Sequence, residues 1–334
     1  MPQALRAAET VGGTQIELGL NAAIVSVRDQ QPHIIVVRPG EVGSGEWDAL
    51  PFGTFAPREH RTLEIGLRAW VKRQTGLDLG YVEQLYTFGD RGRHAEPGDT
   101  ASHILSVGYL ALTRGAGDEL LGSHWSPWYA YFPWEDWRHG KPEILTEIEP
   151  RLKEWAERAP SPDEPARPLR RAERLKVGFG IGGGFDEEKV LERYELLYEA
   201  GLVPEAARDG RSAARQWTNL PELGRPMAFD HRRILATAMG RLRGKLKYRP
   251  VVFELLPPEF TLLDLQKTVE AISGTLLHKQ NFRRLVEQGG LVEPTGNVST
   301  ETGGRPAKLY RFRREVVLER PAPGLRVKSG RAQP

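Results

Sequence analysis

The C-terminal third of the chain contains the segment HKQNFRRLVEQGGLVEPTGNVSTETGGRPAKLYRFR, residues 278–313. Its first part, residues 278–288, predicts an amphipathic helix, because Phe282 and Val286 recur at helical spacing and place their apolar side chains on one face. The remainder predicts a hairpin, since two β-rich runs flank a polar tip rich in glycine. A helix followed by a two-stranded hairpin is therefore expected at this end of the chain.

The residues before this segment predict further helices. Pro250 suits the first position of a helix over residues 251–256. Thr261 and Asp264 have the spacing of a capping box, which marks the start of the next helix. The order of three helices and two strands is that of a winged helix-turn-helix domain, which we expect at residues 229–320.

Positive charge concentrates in this region. Between residues 278 and 314 there are eight basic and three acidic side chains, whereas the whole chain carries a net charge of only +3. Arginine, glutamine and asparagine are suited to base edges in the major groove of double-stranded DNA, and lysine to phosphates. The alternative is a solvated basic surface without a ligand. The predicted DNA contacts are Lys279, Gln280, Asn281, Arg283, Arg284, Arg305 and Lys308.

Composition excludes several classes of protein. The chain has 334 residues, of which 39% are hydrophobic and 27% charged, so a soluble globular protein with more than one domain is expected. There is no cysteine, which excludes disulfides and thiolate metal sites. No apolar run is long enough for a membrane helix and the start lacks the pattern of a signal peptide, so we expect a cytoplasmic protein.

The N-terminal part predicts an α+β domain. Residues 20–27, 33–37 and 102–112 are rich in β-branched and apolar residues and predict buried strands. Between them lies one helical stripe of apolar residues, with Thr62 as its predicted N-cap and Gly76 as its end.

Residues 50–59 and 67–77 resemble the Nudix box, the loop-helix-loop of nucleoside-diphosphate-linked hydrolases. Gly53 and Gly76 match the opening and the close of that motif. In working members of the family, three carboxylates on the helix hold a divalent metal against a pyrophosphate. We therefore expect no catalytic residue, no bound metal and no hydrolysis here, because other residue types stand at those three positions: Trp70, Arg73 and Gln74.

Several further stretches, taken together and in order, resemble the Nudix-related transcriptional regulators of NAD metabolism. This resemblance implies a Nudix-like α/β/α sandwich joined to a C-terminal winged helix. It also implies a homodimeric repressor that binds a palindromic operator and senses an adenine nucleotide, namely ADP-ribose, NAD(P) or ATP, without any other cofactor. The stretches are residues 81–93, 106–112, 229–231, 254–262, 281–284, 293–296 and 304–307.

Carried over from that resemblance, Tyr86 and Phe88 are expected to stack on adenine, and Arg91 and Arg93 to meet phosphates. The middle of the chain is longer than is usual in the family and is similar to the subgroup that represses NAD biosynthesis. It includes seven aromatic residues between positions 125 and 137, which predict core packing or, alternatively, a partner surface. The predicted boundaries are 1–150 for the effector domain, 151–228 for a linker and inserted helical segment, 229–320 for the winged helix and 321–334 for a flexible tail.

Two other functions remain open from the sequence. One is a hydrolase with a nonstandard metal site that uses Glu59 and Glu64. The other is a protein-protein scaffold that does not bind DNA.

Overall fold

The computed structural model describes residues 15–38, 47–90, 102–115, 122–160, 164, 166–181, 184–300 and 306–325. Within these residues the chain forms one six-stranded sheet and one two-stranded hairpin. Separate hydrophobic clusters cover the two faces of the larger sheet.

The larger sheet is built from the N-terminal half of the chain. Its strands are β1 (Gln15–Arg28), β2 (Gln31–Val37), β3 (Phe52–Thr54), β4 (Tyr81–Phe88), β5 (Ser102–Leu112) and β6 (Ser123–Pro127). The strand order is β4-β5-β1-β2-β6, and β3 pairs with β1 outside this path. β1 and β5 run parallel, while the other neighbours are antiparallel.

The central strand β1 is buried on both faces. Successive side chains of a strand point to opposite sides, so a strand covered on both faces has a continuous apolar run rather than an alternating one. Leu20, Ala22 and Ile24 belong to the cluster on one face, whereas Ala23 and Val25 belong to the cluster on the other. The apolar run in the sequence follows from this arrangement.

One face of the sheet is covered by helix α1 (Leu63–Thr75). Leu67 and Val71 are fully buried against the sheet. The Thr62 hydroxyl accepts a backbone N–H of the first turn at 3.2 Å, and Gly76 ends the helix at φ 72°. Both predicted ends of this helix are confirmed, because the capping signals are local.

The other face is covered by helix α6 (His231–Tyr248) together with the inserted segment. The apolar stripe of α6 is buried, namely Ile234, Leu235, Ala238, Leu242 and Leu246. With α1 on one side and α6 on the other, the α/β/α layering and the α+β fold class expected from the sequence are confirmed.

The inserted segment contains α2 (Leu145–Glu157), α3 (Arg171–Phe179), α4 (Val190–Glu199) and α5 (Pro204–Arg208). Residues 186–189 precede α4 and form a turn rather than an extension of the helix. The Asp186 side chain and carbonyl instead accept the N–H groups of Glu188 and Lys189 at 3.0 and 3.3 Å. This local turn competes with the helix, as is common for aspartate.

The aromatic residues between positions 125 and 137 pack in the core, which is one of the two alternatives predicted from the sequence. Trp128, Tyr131, Phe132 and Trp134 are fully buried. They belong to one continuous cluster that also includes residues of the sheet, of α4, of α6 and of the C-terminal helices. The aromatic cluster and helix α4 of the inserted segment therefore share one core with the sheet and the C-terminal region.

The C-terminal region contains α7 (Leu262–Ser273), α8 (Lys279–Gly289), β7 (Val292–Ser299), β8 (Ala307–Phe312) and α9 (Val316–Glu319). The predicted capping box is present: Asp264 N–H donates to the Thr261 hydroxyl at 3.1 Å and Thr261 N–H to the Asp264 carboxylate at 2.9 Å. The expected order of helices and hairpin is confirmed, as is the winged helix.

Three boundaries in this region differ from expectation. Residues Val251–Leu255 form a short 3-10 helix preceded by Pro250, because Pro257 forces Leu256 into the extended region. β7 continues to Ser299, into the stretch expected as the polar tip of the hairpin, since Gly296 adopts φ 88° and a bulge absorbs the change of register. Leu325, inside the predicted flexible tail, is 1% exposed and donates its N–H to the Leu246 carbonyl at 2.9 Å.

Candidate nucleic-acid interface and effector site

Helix α8 presents a polar and basic face to solvent. Phe282 and Val286 are 3% and 0% exposed, which confirms their predicted inward placement, whereas Leu285 is only half-buried. The face turned to solvent carries five of the seven predicted DNA contacts, Lys279, Gln280, Asn281, Arg283 and Arg284, all of them exposed. The helical period places these side chains opposite the packed face.

The basic side chains of this region differ in whether a carboxylate forms an ion pair with them. Within the described residues, no carboxylate pairs with Lys279, Arg283 or Arg284. Arg311, by contrast, is paired with Glu293 at 2.7 Å, and Arg313 with Glu319 at 2.6 Å. Among the described residues of this region, ion pairs therefore occupy two basic side chains near the end of the hairpin and leave those of α8 to solvent.

The wing is fixed to the body of the domain. Phe312 of β8 stacks on Phe253, with ring centroids 4.3 Å apart and an interplanar angle of 18°. Phe260 and Tyr310 exchange backbone hydrogen bonds of 2.9 and 2.8 Å. Lys308 is exposed on β8, while Arg305 at the tip lies outside the described residues. These contacts hold the hairpin against residues 253–260, which precede α7.

Trp70 and Gln74 fasten α1 to β3, and Arg73 stacks on Trp70. A Cβ at Gly53 would lie 2.0 Å from Trp70 Cδ2, so the indole rests directly on the glycine backbone. The indole N–H donates to the Thr54 carbonyl at 3.0 Å, and the Arg73 guanidinium lies 3.7 Å from the centre of the indole ring. The Gln74 amide donates to the Phe52 carbonyl at 2.8 Å and accepts the Phe52 N–H at 3.0 Å.

The predicted effector residues lie in different surroundings. The Tyr86 side chain is exposed, but Phe88 is 1% exposed. The two rings meet edge to face at 5.3 Å, and the Arg233 guanidinium lies 5.2 Å from the Phe88 ring centre. The Phe88 ring is therefore enclosed by packing and contacts the Tyr86 ring, which corrects the expectation that Phe88 stacks on adenine. Arg91 and Arg93 lie outside the described residues.

Helix α6 connects β4, which carries Tyr86, to the inserted segment and the winged helix. On one side, the Lys245 ammonium contacts the Glu83 carboxylate at 2.5 Å and the Tyr81 hydroxyl at 2.8 Å. Burial alone would lower the pKa of Lys245, but the hydrogen bonds to Glu83 and Tyr81 outweigh it and raise the pKa. Lys245 therefore stays charged and ties α6 to the strand.

On its other side, α6 enters a buried charge cluster, which we define as Glu135, Arg193 and Arg243. Glu135 Oε2 accepts from Arg193 Nη2 at 2.8 Å and from Arg243 Nη1 at 2.6 Å, and the three side chains are fully buried. Burial alone would raise the pKa of Glu135, but the two arginines outweigh it and hold the pKa below the ordinary value. The carboxylate is therefore ionised.

The buried charge cluster also reaches the winged helix. Arg243 Nε donates to the Ile272 carbonyl at 2.9 Å, near the end of α7. The next turn passes so close to the cluster that a Cβ at Gly274 would lie 2.4 Å from the Glu135 carbonyl oxygen. One buried cluster thus joins the inserted segment, α6 and α7.

Sequence reasoning did not single out this cluster. Glu135 is separated from Arg193 by 58 residues and from Arg243 by 108 residues, so no local spacing indicates the contacts. The sequence offered only an indirect indication of the cluster: an arginine or glutamate stands within a stretch that is otherwise apolar or aromatic. Such charged side chains are rarely buried unless they are paired.

The described residues hold no group of three or more histidine, cysteine, aspartate or glutamate side chains arranged to bind a metal. Nor does any helix among them combine the length and apolar character needed to cross a membrane.

The fold and these surfaces define a protein in which a Nudix-like α/β/α domain is joined to a winged helix whose helix α8 has an exposed basic face. Residues 252–312 match the family model described as the NrtR DNA-binding winged helix domain. The predicted resemblance to Nudix-related regulators is confirmed for the C-terminal region, which is similar to the NrtR winged helix domain.

The chain is also similar to known proteins, and each similarity covers a different share of the chain. The chain is similar to the ADPR responsive transcriptional repressor NtrR of Acinetobacter baylyi, with 43% identity over 98 residues, which make up 29% of this chain and 39% of that protein. The match thus spans about two fifths of the relative.

Two solved structures share the fold. One is Shewanella oneidensis NrtR complexed with a 27mer DNA, with TM-score 0.54, 21% identity, and coverage of 90% of this chain and 95% of that one. The other is a MutT/nudix family protein from Enterococcus faecalis, with TM-score 0.51, 16% identity, and coverage of 91% and 89%.

Proposed function

We propose that this protein is a DNA-binding transcriptional repressor of NAD-biosynthesis genes whose affinity for its operator responds to ADP-ribose. The observation that carries the proposal is the exposed face of α8, where Lys279, Arg283 and Arg284 have no ion-pair partner among the described residues. This face lies within the segment that matches the NrtR DNA-binding winged helix model. The name of the Acinetobacter baylyi relative supports ADP-ribose as the signal.

In this proposal α8 enters the major groove. Arg283 and Arg284 suit guanine edges, and Gln280 and Asn281 suit adenine edges, while Lys308 on the wing contacts phosphates. Arg305 at the wing tip is assigned to the backbone or the minor groove. The protein acts in the cytoplasm as a homodimer on a palindromic operator, because a two-fold dimer places two recognition helices on half-sites about one helical turn, or a multiple of it, apart.

The Nudix-like domain is proposed to sense the nucleotide rather than hydrolyse it. ADP-ribose is preferred to NAD(P) and ATP, and no further cofactor is required. Tyr86 supplies an exposed ring for the adenine, and Arg91 and Arg93 supply positive charge for the phosphates. The replacement of the metal-binding carboxylates by Trp70, Arg73 and Gln74 supports the absence of hydrolysis.

The coupling between the two parts is assigned to α6. This helix contacts β4 through Lys245 and α7 through Arg243, so a change at the ligand site is passed to the winged helix through packed side chains. Since the winged helix is held by the buried charge cluster, we propose that the effector changes the spacing of the two winged helices in the dimer. A change of that spacing lowers the affinity for the operator.

The DNA-binding role is tested with purified full-length protein and promoter DNA from NAD-biosynthesis genes. Arg283→Ala is expected to weaken specific binding by about 1–3 kcal/mol, or roughly 5- to 150-fold. Lys176→Ala, which removes an exposed charge from α3 in the inserted segment, is the matched control and should leave the affinity unchanged. Equal affinities for Arg283→Ala and the unmodified protein would refute the assignment of α8.

The sensor role is tested by incubating the protein with ADP-ribose, NAD and ATP in the presence of Mg²⁺. We expect no turnover. Turnover that is lost in Glu59→Gln or Glu64→Gln would contradict the proposal and favour a hydrolase with a nonstandard metal site.

A further inference from the structure

The chain continues past the hairpin into a segment that packs against the winged helix. The family model ends at residue 312, and we call residues 313–325, which follow it, the C-terminal strap. Val316 near its start and Leu325 near its end are 0% and 1% exposed. The strap is therefore packed into the folded protein, although the winged-helix model does not include it.

The strap binds the C-terminal end of α8. Arg320 Nη1 donates to the Gly289 carbonyl at 2.7 Å, and Arg313 Nε donates to the carbonyl of the next residue, Gly290, at 2.9 Å. Glu319 holds Arg313 through two hydrogen bonds of 2.7 and 2.6 Å. The last carbonyls of a helix have no partner within the helix and carry partial negative charge, so cations stabilise this end.

The other end of the strap is fixed to α6. Leu325 donates its backbone N–H to the Leu246 carbonyl at 2.9 Å. The backbone at Gly324 passes so close to α6 that a Cβ there would lie 2.2 Å from the Tyr248 nitrogen. The strap thus connects the C-terminal end of α6, the helix that covers the sheet, to the C-terminal end of α8.

These contacts lie at the end of α8 that is opposite to the predicted base contacts. In helix-turn-helix domains the N-terminal residues of the recognition helix reach the base edges, and the predicted contacts of α8 lie between Lys279 and Arg284. Gly289 is about 15 Å from Lys279 along the helix axis, at a rise of about 1.5 Å per residue. A change of tilt at the C-terminal end therefore moves the side chains that face the DNA.

We propose that the C-terminal strap fixes the orientation of α8 relative to α6, and that Arg320 is a positioning residue for sequence-specific DNA binding rather than a phosphate contact. This inference rests on the proposed DNA-binding function. Orientation matters for contacts to base edges, which require defined positions, whereas non-specific binding depends mainly on charge.

The test measures the affinity of the full-length protein for promoter DNA of NAD-biosynthesis genes and for scrambled DNA at several salt concentrations. Arg320→Ala should weaken promoter binding about 2- to 5-fold, the usual contribution of one cation at a helix C-terminus. The affinity for scrambled DNA and the salt dependence should stay unchanged. Arg320→Lys should restore promoter binding, because one charged donor is sufficient for a single carbonyl.

The matched control is Arg215→Ala, which removes the same charge from an exposed position of the inserted segment. It should leave both affinities and the salt dependence as they are in the unmodified protein. The melting temperature of every variant, measured alongside, separates a local change at α8 from a general loss of structure.

The anchor on α6 provides a second, independent variant. Gly324→Ala should displace the strap from α6, because the new Cβ would meet the Tyr248 backbone, and should also weaken promoter binding. If the strap acts as one unit, the double variant with Arg320→Ala should lose no more affinity than the more affected single variant. Losses that multiply would refute the strap as a single connection.

Two results would overturn the role of Arg320 and leave the proposed function intact. One is equal promoter affinity for Arg320→Ala and the unmodified protein. The other is an equal loss on promoter and scrambled DNA with a salt dependence reduced by about one phosphate contact, which would assign Arg320 to the DNA backbone. If the unmodified protein did not distinguish promoter from scrambled DNA, the proposed function itself would be refuted, and this inference with it.

Discussion

Replacing Glu135 by glutamine removes the negative charge between two buried arginines while keeping the size of the side chain. In the folded protein Arg193 and Arg243 are fully buried and share this carboxylate. Without it, two positive charges remain out of water with only carbonyl and hydroxyl oxygens as partners. Breaking a buried ion pair by removing one partner costs about 3–5 kcal/mol. We expect Glu135→Gln to lower the free energy of unfolding by this amount.

The assay is denaturant unfolding of the full-length chain, followed by tryptophan fluorescence, since Trp128 and Trp134 are fully buried in the same hydrophobic core. The matched control is Glu147→Gln, which removes one partner of an exposed pair with Arg151 that spans one helical turn of α2. Exposed pairs of this kind contribute about 0.3–0.5 kcal/mol. A loss of less than about 1 kcal/mol for Glu135→Gln would refute the reasoning.

The same carboxylate predicts a dependence on pH. The pKa of Glu135 in the folded protein lies below the ordinary value of 4.5. A group with a lowered folded pKa stabilises the protein fully above its unfolded pKa, and that stabilisation is lost as the pH falls through the folded pKa. The difference in stability between the unmodified protein and Glu135→Gln should therefore be constant near neutral pH and shrink below pH 4.5. A difference that grows on acidification would contradict the assignment.

Two further predictions concern the backbone near the cluster and the charges of the wing. Gly274→Ala should lower thermal stability by about 1–3 kcal/mol, because the residue has φ 72° and its Cβ would lie 2.4 Å from the Glu135 carbonyl oxygen; an unchanged melting temperature would refute this. Lys308→Ala should flatten the salt dependence of DNA affinity by about one phosphate contact. Arg311→Ala, whose charge is paired with Glu293, should leave the slope unchanged. Equal slopes for both variants would contradict the difference.

Local signals in the sequence predicted the elements that depend on local contacts. The ends of α1 at Thr62 and Gly76 and the capping box of Thr261 and Asp264 were correct, because each involves residues within one turn of each other. The inward placement of Phe282 was also correct, since the helical period alone determines it. The capping box and the packed face of α8 both belong to the winged helix.

Features that depend on distant parts of the chain were not predicted. The enclosure of Phe88 results from packing against Arg233, far along the chain. The buried charge cluster joins three elements whose separations leave no periodic signal. The continuation of β7 depends on a left-handed glycine at Gly296, which the sequence presented only as part of a polar tip. Tertiary contacts therefore determined what the local pattern left open.

The central claim is that DNA binding by the winged helix responds to a nucleotide bound by the Nudix-like domain. The most direct test measures the affinity of the full-length protein for promoter DNA of NAD-biosynthesis genes, at one fixed salt concentration, with and without ADP-ribose. Salt must be fixed because phosphate contacts make the affinity steeply dependent on it. We predict sequence-specific binding that ADP-ribose weakens. Binding that is equal for promoter and scrambled DNA and unchanged by ADP-ribose would contradict the account.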